Sequence, residues 1–457
     1  MCRIGVFGAG YVGLVTGTGL AHLGNKVIIC DIDNEKIRDL KNGKIPIYEK
    51  GLEALINENV NESRLSFTTS VEEIIEKSDI LYVCVGTPCL PDGSVNMSYI
   101  EDVFKSICLL SKTKKLVVIK STVPPQTTKN LLNLKECQNC ELDHEIISNP
   151  EFLREGQAVD DFFNPDRIVI GASTDEAAGM MLKLYNELNS NVICVDNDSA
   201  ELIKYASNAF LALKISFSNL ISRVCDQTDA DVISVMTGVG LDNRIGLDFL
   251  TAGLGFGGSC FPKDVNGLIH ALNSMDIPSI LLEEIMRINQ EQTELLFQKF
   301  LESIDHSDLF TKKIAVLGLS FKPDSDDMRE SPSIIIVQKL LELGADVHVH
   351  DPKAMENAKK IFKDTVHYVD DPYEAIRDAE GIFIVTDWTE YKELNLIKVF
   401  NIAASPIIAD GRNMFNPLRM KSLGFTYLSL GQSLNKGNID HQKQFDFNKK
   451  EDNREII

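Results

Sequence analysis

The sequence has no apolar run that approaches the roughly 20 residues needed to cross a bilayer, so no membrane-spanning helix is expected. It also has no charged and apolar leader before its first predicted strand at Arg3, so no signal peptide is expected. Its hydrophobic content of 44% suits a globular protein, and 457 residues suffice for two or three domains. Together these features favour a cytoplasmic protein.

Basic residues are scarce relative to acidic ones. There are 46 lysines and arginines against 67 aspartates and glutamates, which gives a net charge of −21. A field of this sign repels nucleic acids and anionic membranes, so neither is expected as a partner. A phosphorylated substrate would therefore need a local basic pocket that overcomes the overall field.

The ten cysteines lack the pattern of a disulfide framework. They are scattered along a large chain without a secretion signal, which favours free thiols in a reducing cytoplasm. Cys137 and Cys140 form a CxxC motif, but no second pair and no histidine cluster accompanies it in the sequence. Chance spacing in a loop is therefore favoured over a zinc or redox role, and no metal is expected.

The N-terminal residues carry the pattern of a dinucleotide-binding site. A short apolar strand, 3–7, leads into Gly8-Ala9-Gly10-Tyr11-Val12-Gly13 and an apolar helix, and a second strand, 27–30, ends at Asp31. The glycines let the backbone approach a pyrophosphate at the helix N-terminus. Asp31 would accept hydrogen bonds from the adenosine ribose and repel a 2′-phosphate, which predicts NAD rather than NADP. A purely structural glycine turn is the weaker interpretation here.

A second glycine-rich segment, 255–259, places Cys260 directly before a predicted helix. Pro262 suits the first helical position, and one apolar face continues through Val265, Leu268, Ile269 and Leu272. Exposed helix N–H groups and the nearby Lys263 are expected to lower the pKa of Cys260 and make it a nucleophile. Asp264 lies within reach and could transfer protons. A buried structural cysteine is the alternative, but it suits this loop less well.

The order of predicted elements divides the chain into three parts and a tail. Residues 1–200 alternate strands and helices, 201–305 are mostly helical, and 311–434 form a second alternating unit that lacks GxGxxG. We therefore predict an α/β fold with two Rossmann-like parallel-sheet domains joined by a long central helical segment. The polar tail, 435–457, is predicted to be disordered.

Several polar residues occupy positions where this fold binds ligands. Thr87, Thr122 and Glu151 each follow a predicted strand, although each taken singly is more typical of a turn or a cap. Lys204 and Asn208 share one side of a predicted helix, where a solvated face is the ordinary interpretation. The same helix is predicted to present one apolar face, suited to a dimer interface, made by Leu202, Tyr205, Ala206, Ala209, Phe210, Leu213, Phe217 and Leu220.

Four segments together resemble the UDP-glucose/GDP-mannose dehydrogenase family. They occur in the family's order along residues 1 to about 430, and they are 8–16 (GAGYVGLVT), 149–156 (NPEFLREG), 255–264 (GFGGSCFPKD) and 318–332, which begins GLSFKP. The CxxC motif and the tail are not part of the resemblance.

The resemblance implies a four-electron oxidation that uses two NAD⁺ per turnover. The C6 alcohol of UDP-glucose becomes an aldehyde, which Cys260 captures as a thiohemiacetal; a second oxidation gives a thioester, and water releases UDP-glucuronate. Lys204 matches the lysine that stabilises the oxyanion, and Asn208 matches its hydrogen-bonding partner. Asp264 matches an acid that transfers protons with the lysine and a water. Thr122 and Glu151 match residues that position the water, and the sequence leaves open which group is the base.

The resemblance also implies binding residues and a homodimer, in which Arg244 is supplied to the substrate across the interface. The implied NAD-binding residues are Gly8, Gly10, Tyr11, Val12, Gly13, Asp31, Lys36, Thr87, Thr122, Glu155, Lys263 and Arg329. The implied residues for UDP-glucose, besides Arg244, are Glu151, Phe152, Leu153, Arg154, Glu155, Lys204, Asn208, Gly257, Phe321, Lys322 and Arg412.

Three alternatives stay open at this point. Enzymes of the same family that use GDP-mannose or UDP-N-acetylmannosamine share the cysteine chemistry. A non-catalytic protein that binds NAD or a nucleotide sugar could share the fold, but the presence of Cys260, Lys204 and Asp264 argues against it. A one-step hydroxyacid dehydrogenase would form no covalent thioester.

Overall fold

The structure is a computed structural model that describes residues 1–134, 140–304 and 309–432. The predicted tail, 435–457, and Cys137 of the CxxC motif lie outside the described residues. The predicted α/β fold is confirmed, because two sheets built largely of parallel strands flank a central helical segment.

The N-terminal sheet contains the strands β1 (Arg3–Phe7), β2 (Lys26–Cys30), β3 (Leu65–Thr68), β4 (Ile80–Val83), β5 (Leu116–Ile119), β6 (Glu145–Ser148), β7 (Arg167–Gly171) and β8 (Asn191–Val195). Its spatial order is β3-β2-β1-β4-β5-β6-β7-β8. The strands from β1 to β6 pair in parallel, whereas β7 meets β6 in the antiparallel sense, which the sequence pattern did not indicate. The helices of this region are α1 (Tyr11–His22), α2 (Asn34–Lys41), α3 (Leu52–Asn61), α4 (Val71–Lys77), α5 (Ser98–Leu110), α6 (Thr127–Leu132), α7 (Ala158–Phe163) and α8 (Asp175–Leu184).

The C-terminal sheet is parallel throughout and contains β9 (Lys313–Leu317), β10 (Asp346–His350), β11 (His367–Tyr368), β12 (Gly381–Ile384), β13 (Ile407–Asp410) and β14 (Thr426–Leu428). The central helices are α9 (Asn197–Gln227), α10 (Val232–Gly240), α11 (Phe261–Ser274) and α12 (Ile280–Ser303). The helices between the strands of the C-terminal sheet are α13 (Pro332–Glu342), α14 (Met355–Phe362), α15 (Pro372–Ile376), α16 (Thr389–Lys392), α17 (Leu396–Ile402) and α18 (Pro417–Ser422). The spatial order is β11-β10-β9-β12-β13-β14.

Both sheets reverse their strand order beside their first strand, and this feature positions the ligand sites. In the N-terminal sheet β1 lies between β2 and β4, and in the C-terminal sheet β9 lies between β10 and β12. The crevice at the carboxyl ends of such strands is where open α/β sheets bind ligands. Buried side chains cover both faces of each sheet, so these crevices are held on rigid cores.

The central helices α9 and α12 connect the two sheets. The 31-residue helix α9 is preceded by its N-cap residue, Asp196, whose carboxylate accepts the N–H of Ser199. Glu201 fixes α9 to the N-terminal sheet by accepting hydrogen bonds from the backbone of Thr127 and Thr128. At the other end of the segment, Phe300 of α12 packs 4.4 Å from the ring of Phe383 in β12.

The prediction that α9 presents one apolar face is wrong in one respect, because some of the predicted residues are buried within the chain and others are exposed. Tyr205 and Ala209 are buried within the chain. The larger residues Leu202, Phe210, Phe217 and Leu220 are exposed, together with Val224. The helix therefore packs mainly through small and polar side chains and leaves a separate apolar face uncovered in one chain.

Candidate active site

A cavity of about 820 Å³ lies where the N-terminal sheet, the central helices and the C-terminal domain meet. The predicted residues that line it are Phe152, Leu153, Arg154, Glu155, Lys204, Asn208, Gly257, Cys260, Phe321 and Lys322. They come from the loop after β6, from α9, from the loop before α11 and from the loop after β9. The fold thus brings together residues that are far apart in the sequence.

The glycines of the cysteine loop allow a close approach between two domains. Gly258 has a φ of +77°, and a Cβ there would lie 2.7 Å from the ring of Phe321. A Cβ on Gly257 would lie 2.2 Å from the carbonyl oxygen of Glu330. A larger residue at either position would therefore move the loop and Cys260 with it.

Cys260 is the N-cap residue of α11, and Pro262 takes the second helical position rather than the predicted first one. The predicted apolar face of α11 packs in the central core, with Val265 fully buried. The thiol of Cys260 lines the cavity, and its sulfur lies 3.6 Å from the hydroxyl oxygen of Ser259.

A buried ion pair stands beside the cysteine. Lys204 Nζ lies 3.0 Å from Glu151 Oε1, and both side chains are almost inaccessible to solvent. Burial alone would raise the pKa of Glu151, but Lys204 and the N–H of Leu153 outweigh it and hold that pKa below its ordinary value. Burial alone would likewise lower the pKa of Lys204, but Glu151 and Cys260 outweigh it and raise that pKa. Both groups are therefore charged.

A second polar group joins α9 to α11. Asn208 donates a hydrogen bond of 2.5 Å to Asp264 Oδ2, and Lys263 Nζ donates to Asp264 Oδ1. Asp264 is only 1% exposed and lies behind Asn208 relative to the cavity. The ordinary interpretation of Lys204 and Asn208 as a solvated helix face is wrong, because both side chains are buried.

The expectation that Cys260 has a lowered pKa is wrong for this structure. Burial raises the pKa of the thiol to about 11, and the negative charges of Glu151 and Asp264 add to the effect. The Lys204 ammonium and the Ser259 hydroxyl lower that pKa but do not compensate. Burial of the thiol, together with the charges of Glu151 and Asp264, therefore outweighs the positive charge of Lys204.

The glycine-rich loop after β1 is shaped to admit a phosphate group. Gly8 has a φ of +100°, and a Cβ there would lie 2.6 Å from the Cys84 carbonyl oxygen. A Cβ on Gly13 would lie even closer to the carbonyl oxygen of Gly8, whereas a Cβ on Gly10 would meet open space. Gly10 is the N-cap of α1 and no side chain caps that helix, so its N–H groups remain available to an anion. These residues fit a dinucleotide.

Asp31 ends β2 beside this loop, as predicted. Its Oδ2 accepts a hydrogen bond of 2.7 Å from the N–H of Ala9 and lies 3.1 Å from Lys36 Nζ. Tyr11 has a supporting contact, because its hydroxyl oxygen accepts the N–H of Gly156 at 2.7 Å. Thr87 is buried just after β4, Thr122 is half-buried after β5, and Val12 is packed against the core of the sheet.

Glu155 contacts both the loop that precedes Cys260 and the loop after β9. It accepts hydrogen bonds from Ser259 and Ser325, and Arg329 lies 3.8 Å from it. Burial raises the pKa of Glu155, and Asp327 raises it further. Arg329 is held by a two-pronged contact with Asp327, so its orientation is fixed beside the cavity.

Three arginines predicted to bind substrate are differently engaged. Arg154 lines the cavity but pairs with Asp161. Arg412 is not among the lining residues, and its guanidinium donates to the backbone carbonyls of Val385, Gly255 and Phe321. Arg244 also lies outside the lining; its side chain is 89% exposed and pairs with Asp242.

Comparisons with known proteins agree with this geometry. Models of the UDP-glucose/GDP-mannose dehydrogenase family match the NAD binding domain at residues 2–189, the central domain at 198–291 and the UDP binding domain at 315–417. The chain is 43% identical over 446 residues, 97% of its length, to the UDP-glucose 6-dehydrogenase TuaD of Bacillus subtilis (strain 168), of which the match covers 96%. The chain belongs to the UDP-glucose/GDP-mannose dehydrogenase family.

Solved structures from this family have the same fold. A UDP-glucose dehydrogenase from the hyperthermophilic archaeon Pyrobaculum islandicum superposes with a TM-score of 0.88 and 38% identity, covering 95% of this chain and 98% of that chain. A UDP-D-ManNAc dehydrogenase from Pyrococcus horikoshii gives a TM-score of 0.83 and 27% identity, covering 94% and 99%. Family membership confirms the predicted cofactor, NAD. Within the described residues, no helix has the length and apolarity to cross a membrane.

Sequence reasoning missed three basic residues of the family's cavity: Lys120, Arg167 and Lys214. Lys120 directly follows β5, a position that could have identified it, and burial lowers its pKa to about 8 against the opposing charge of Glu151. The Arg167 guanidinium lies 3.9 Å from the centre of the Phe152 ring. These residues supply the local basic pocket that a phosphorylated substrate requires.

The raised pKa of Cys260 predicts slow alkylation in the absence of substrate. Because the thiolate is the reactive form, the rate of alkylation by iodoacetamide should increase about tenfold for each unit by which the pH is raised, up to about pH 11. Below pH 11, Lys204→Met should slow the reaction, since the ammonium lowers the thiol pKa, whereas Lys214→Met, which removes another lysine of the cavity, should not. Mass spectrometry of the peptide that contains Cys260 measures the rate. A rate that levels off near neutral pH would contradict the raised pKa.

The position of Asp31 predicts that its carboxylate excludes NADP⁺. Asp31→Ala removes a negative charge and leaves Lys36 free to meet a 2′-phosphate, so the ratio of kcat/KM for NADP⁺ to that for NAD⁺ should rise about tenfold or more. Glu35→Ala, which removes an exposed carboxylate from the start of α2, is the matched control and should leave the ratio unchanged. An unchanged ratio in Asp31→Ala would mean that the carboxylate does not face the ribose.

Proposed function

We propose that this protein oxidises the C6 alcohol of UDP-glucose to a carboxylate, giving UDP-glucuronate, through intermediates bound to Cys260. The observation that carries the proposal is the placement of the Cys260 thiol in a nucleotide-sized cavity, beside the charged Lys204–Glu151 pair and the Asn208–Asp264 pair. The high identity to proteins named UDP-glucose dehydrogenase supports this substrate.

Lys204 and Asn208 are suited to stabilise negative charge on the reacting oxygen. Both line the cavity from one face of α9, and both are fixed from behind by a carboxylate. Preorganised donors in a site shielded from water stabilise an oxyanion strongly, because no solvent has to reorganise during the reaction. The loop after β1 would hold NAD⁺, and one NAD⁺ for each of the two oxidations would supply the hydride acceptor.

Cys260 retains the substrate between the two oxidations. Its sulfur adds to the aldehyde carbon and forms a thiohemiacetal, in which the former carbonyl oxygen carries the proton lost by the thiol. Loss of a hydride from the carbon of this adduct, together with loss of the hydroxyl proton to one of the buried carboxylates, gives a thioester. Water then adds to the thioester, the C–S bond breaks, and the thiol and the carboxylate are released. The aldehyde therefore never leaves the cavity.

Buried carboxylates are suited to the proton transfers. Asp264 contacts both Asn208 and Lys263, and Glu151 contacts Lys204, so each can exchange a proton with a donor that lines the cavity or lies next to it. Glu151 and Thr122 follow adjacent strands, and we assign them the positioning of the hydrolytic water. The raised pKa of the resting thiol means that a proton must leave Cys260 before or during its attack.

The nucleotide part of the substrate is assigned to the C-terminal side of the cavity. Phe321 and Lys322 line it there, and the positive charge of Lys322 suits a diphosphate. On the opposite side, the loop 152–155 would hold the sugar. Arg412 donates to the carbonyl of Gly255 at the start of the Cys260 loop and to that of Phe321 in the loop after β9, so we assign it the positioning of the Cys260 loop against the C-terminal domain.

The protein is further proposed to act as a homodimer in a reducing, cytoplasmic environment that keeps Cys260 as a thiol. The exposed apolar face of α9, which includes Phe210 at 62% exposure, supports an interface with a second copy. The loop that carries Arg244 is held by hydrogen bonds from Lys214, while the arginine itself is exposed and is not among the residues that line the cavity. This exposure supports donation of Arg244 to the other protomer.

The proposed reaction predicts two NADH for each UDP-glucose consumed. GDP-mannose and UDP-N-acetylmannosamine should be turned over far more slowly, since the dehydrogenases named for GDP-mannose and UDP-D-ManNAc are 31% and 27% identical, against 43% for the UDP-glucose 6-dehydrogenase TuaD. In Cys260→Ser, turnover should collapse and an acyl adduct should accumulate, because an oxygen ester is hydrolysed less readily than a thioester. Absorbance of NADH and the intact mass of the protein measure these outcomes, with Cys260→Ala as the control that can form no adduct. One NADH per sugar nucleotide, or full activity in Cys260→Ala, would refute the reaction.

The proposed donation of Arg244 can be tested with hybrid dimers. Arg244→Ala should raise KM for UDP-glucose more than it lowers kcat, because a phosphate contact stabilises ground and transition states alike. A hybrid of Arg244→Ala with Cys260→Ala would contain one site with both defects and one site with neither. Activity at low substrate should therefore recover to a fraction of wild type. No recovery, with hybrids verified by mass, would show that Arg244 does not act across the interface.

A further inference from the structure

A cluster of two histidines and one aspartate lies at the edge of the C-terminal sheet. Asp346 and His348 are two residues apart on β10 and so share one face of the sheet. His367 lies opposite His348 on the edge strand β11. The two imidazole rings stack with their centres 4.5 Å apart and their planes at 20°. Paired parallel strands thus hold three side chains of metal-binding type together.

The distances within this cluster are close to those of a coordination shell. His348 Nε2 lies 3.2 Å from Asp346 Oδ2, and His367 Nε2 lies 3.1 Å from Asp346 Oδ1. With bonds of about 2.1 Å to zinc, nitrogen and oxygen ligands in a tetrahedral shell stand about 3.4 Å apart. Small side-chain rotations would therefore suffice to place one ion between the three ligand atoms, and the backbone pairing need not change.

The three side chains of the cluster differ in their exposure to solvent. The side chain of His348 is 17% exposed, that of Asp346 is 41% exposed and that of His367 is 64% exposed. An ion could enter from the side of His367 and would keep water at its remaining positions. Imidazole nitrogen with one carboxylate oxygen suits a borderline divalent ion, rather than calcium or magnesium, which prefer oxygen ligands alone.

A second cluster in the described residues, Cys108, Cys140 and His144, is less suited to a metal. His144 Nδ1 accepts the backbone N–H of Lys115 at 3.1 Å. That contact leaves the proton of a neutral ring on Nε2, which faces Cys140 Sγ at 3.7 Å. Because Nε2 carries the proton in that tautomer, it has no lone pair to offer a metal ion beside Cys140.

We propose that Asp346, His348 and His367 form a binding site for a divalent transition metal ion, with Zn²⁺ as the reference ligand. Asp346 and His348 precede the carboxyl end of β10, and His367 is the first residue of β11, whereas the ligand-binding loops of an α/β sheet follow the carboxyl ends of its strands. The ion therefore takes no part in the oxidation. It ties the short edge strand β11 to β10 and stabilises that edge of the domain, because it binds the folded form.

Calorimetric titration of the metal-free, full-length protein with Zn²⁺ tests this site. Wild type should bind one more equivalent than His367→Gln or Asp346→Asn, or these variants should bind that equivalent at least about tenfold more weakly, since losing even a supporting group behind a ligand costs 10- to 100-fold. His22→Gln is the matched control, because His22 is an exposed histidine 3.8 Å from a single carboxylate, Glu58. Binding to Cys260 or other thiols occurs in all four proteins and cancels in the difference.

Crystals of the wild-type protein grown with Zn²⁺ give an independent measurement. Anomalous scattering at the zinc absorption edge should show a peak between the Nε2 atoms of His348 and His367, even if a variant fails to fold. Equal zinc stoichiometry and affinity in wild type and the two folded variants would overturn the proposal. The absence of a peak at this cluster in zinc-loaded crystals would overturn it as well.

Discussion

The buried ion pair between Lys204 and Glu151 is the interaction on which the candidate site depends. It joins α9 to the loop after β6 through a contact of 3.0 Å. Each charge is costly to bury and is tolerated because the partner and the N–H of Leu153 compensate it. Loss of either partner would leave an uncompensated buried charge at a cost of about 3–5 kcal/mol. The pair therefore fixes both the geometry and the charge of the surface that Cys260 faces.

The cysteine loop depends in turn on the C-terminal domain. Gly257 and Gly258 lie against Glu330 and Phe321 with no room for a side chain, and Arg412 binds Gly255 and Phe321 through their carbonyl oxygens. The nucleophile belongs to the central segment in sequence, but its position is set by contacts from the domain that follows. The site is therefore a property of the assembled chain rather than of one sheet.

Much of the fold could be predicted because apolar strands and glycine turns are local signals. The strand 3–7 is found with the predicted bounds, the strand predicted at 27–30 begins one residue earlier, and the glycine loop leads into α1 as expected. The antiparallel contact of β7 could not be predicted, because it depends on tertiary packing rather than on a pattern within the strand. The grouping of Cys260, Lys204, Asn208 and Asp264 followed from resemblance to a family, since no local periodicity connects α9 with α11.

The errors concern quantities that depend on three-dimensional surroundings. The helix terminus and Lys263 suggested a low pKa for Cys260, but the sequence does not show that Glu151 and Asp264 lie behind the same thiol. Similarly, an apolar pattern along α9 does not reveal that Tyr205 points inward while Phe210 points to solvent. Lys120 was missed although it directly follows β5, because the sequence does not show that its side chain is buried in the cavity.

The protonated state of the resting Cys260 has a consequence for the chemical durability of the protein. Peroxides convert cysteine to sulfenic acid and then to irreversible sulfinic and sulfonic acids, and they attack the thiolate much faster than the thiol. A nucleophile that is ionised at all times would be consumed by this damage whenever the cavity stood empty. With its pKa near 11, Cys260 is ionised only to a very small extent at neutral pH, so idle molecules should outlast an oxidative episode with their active sulfur intact.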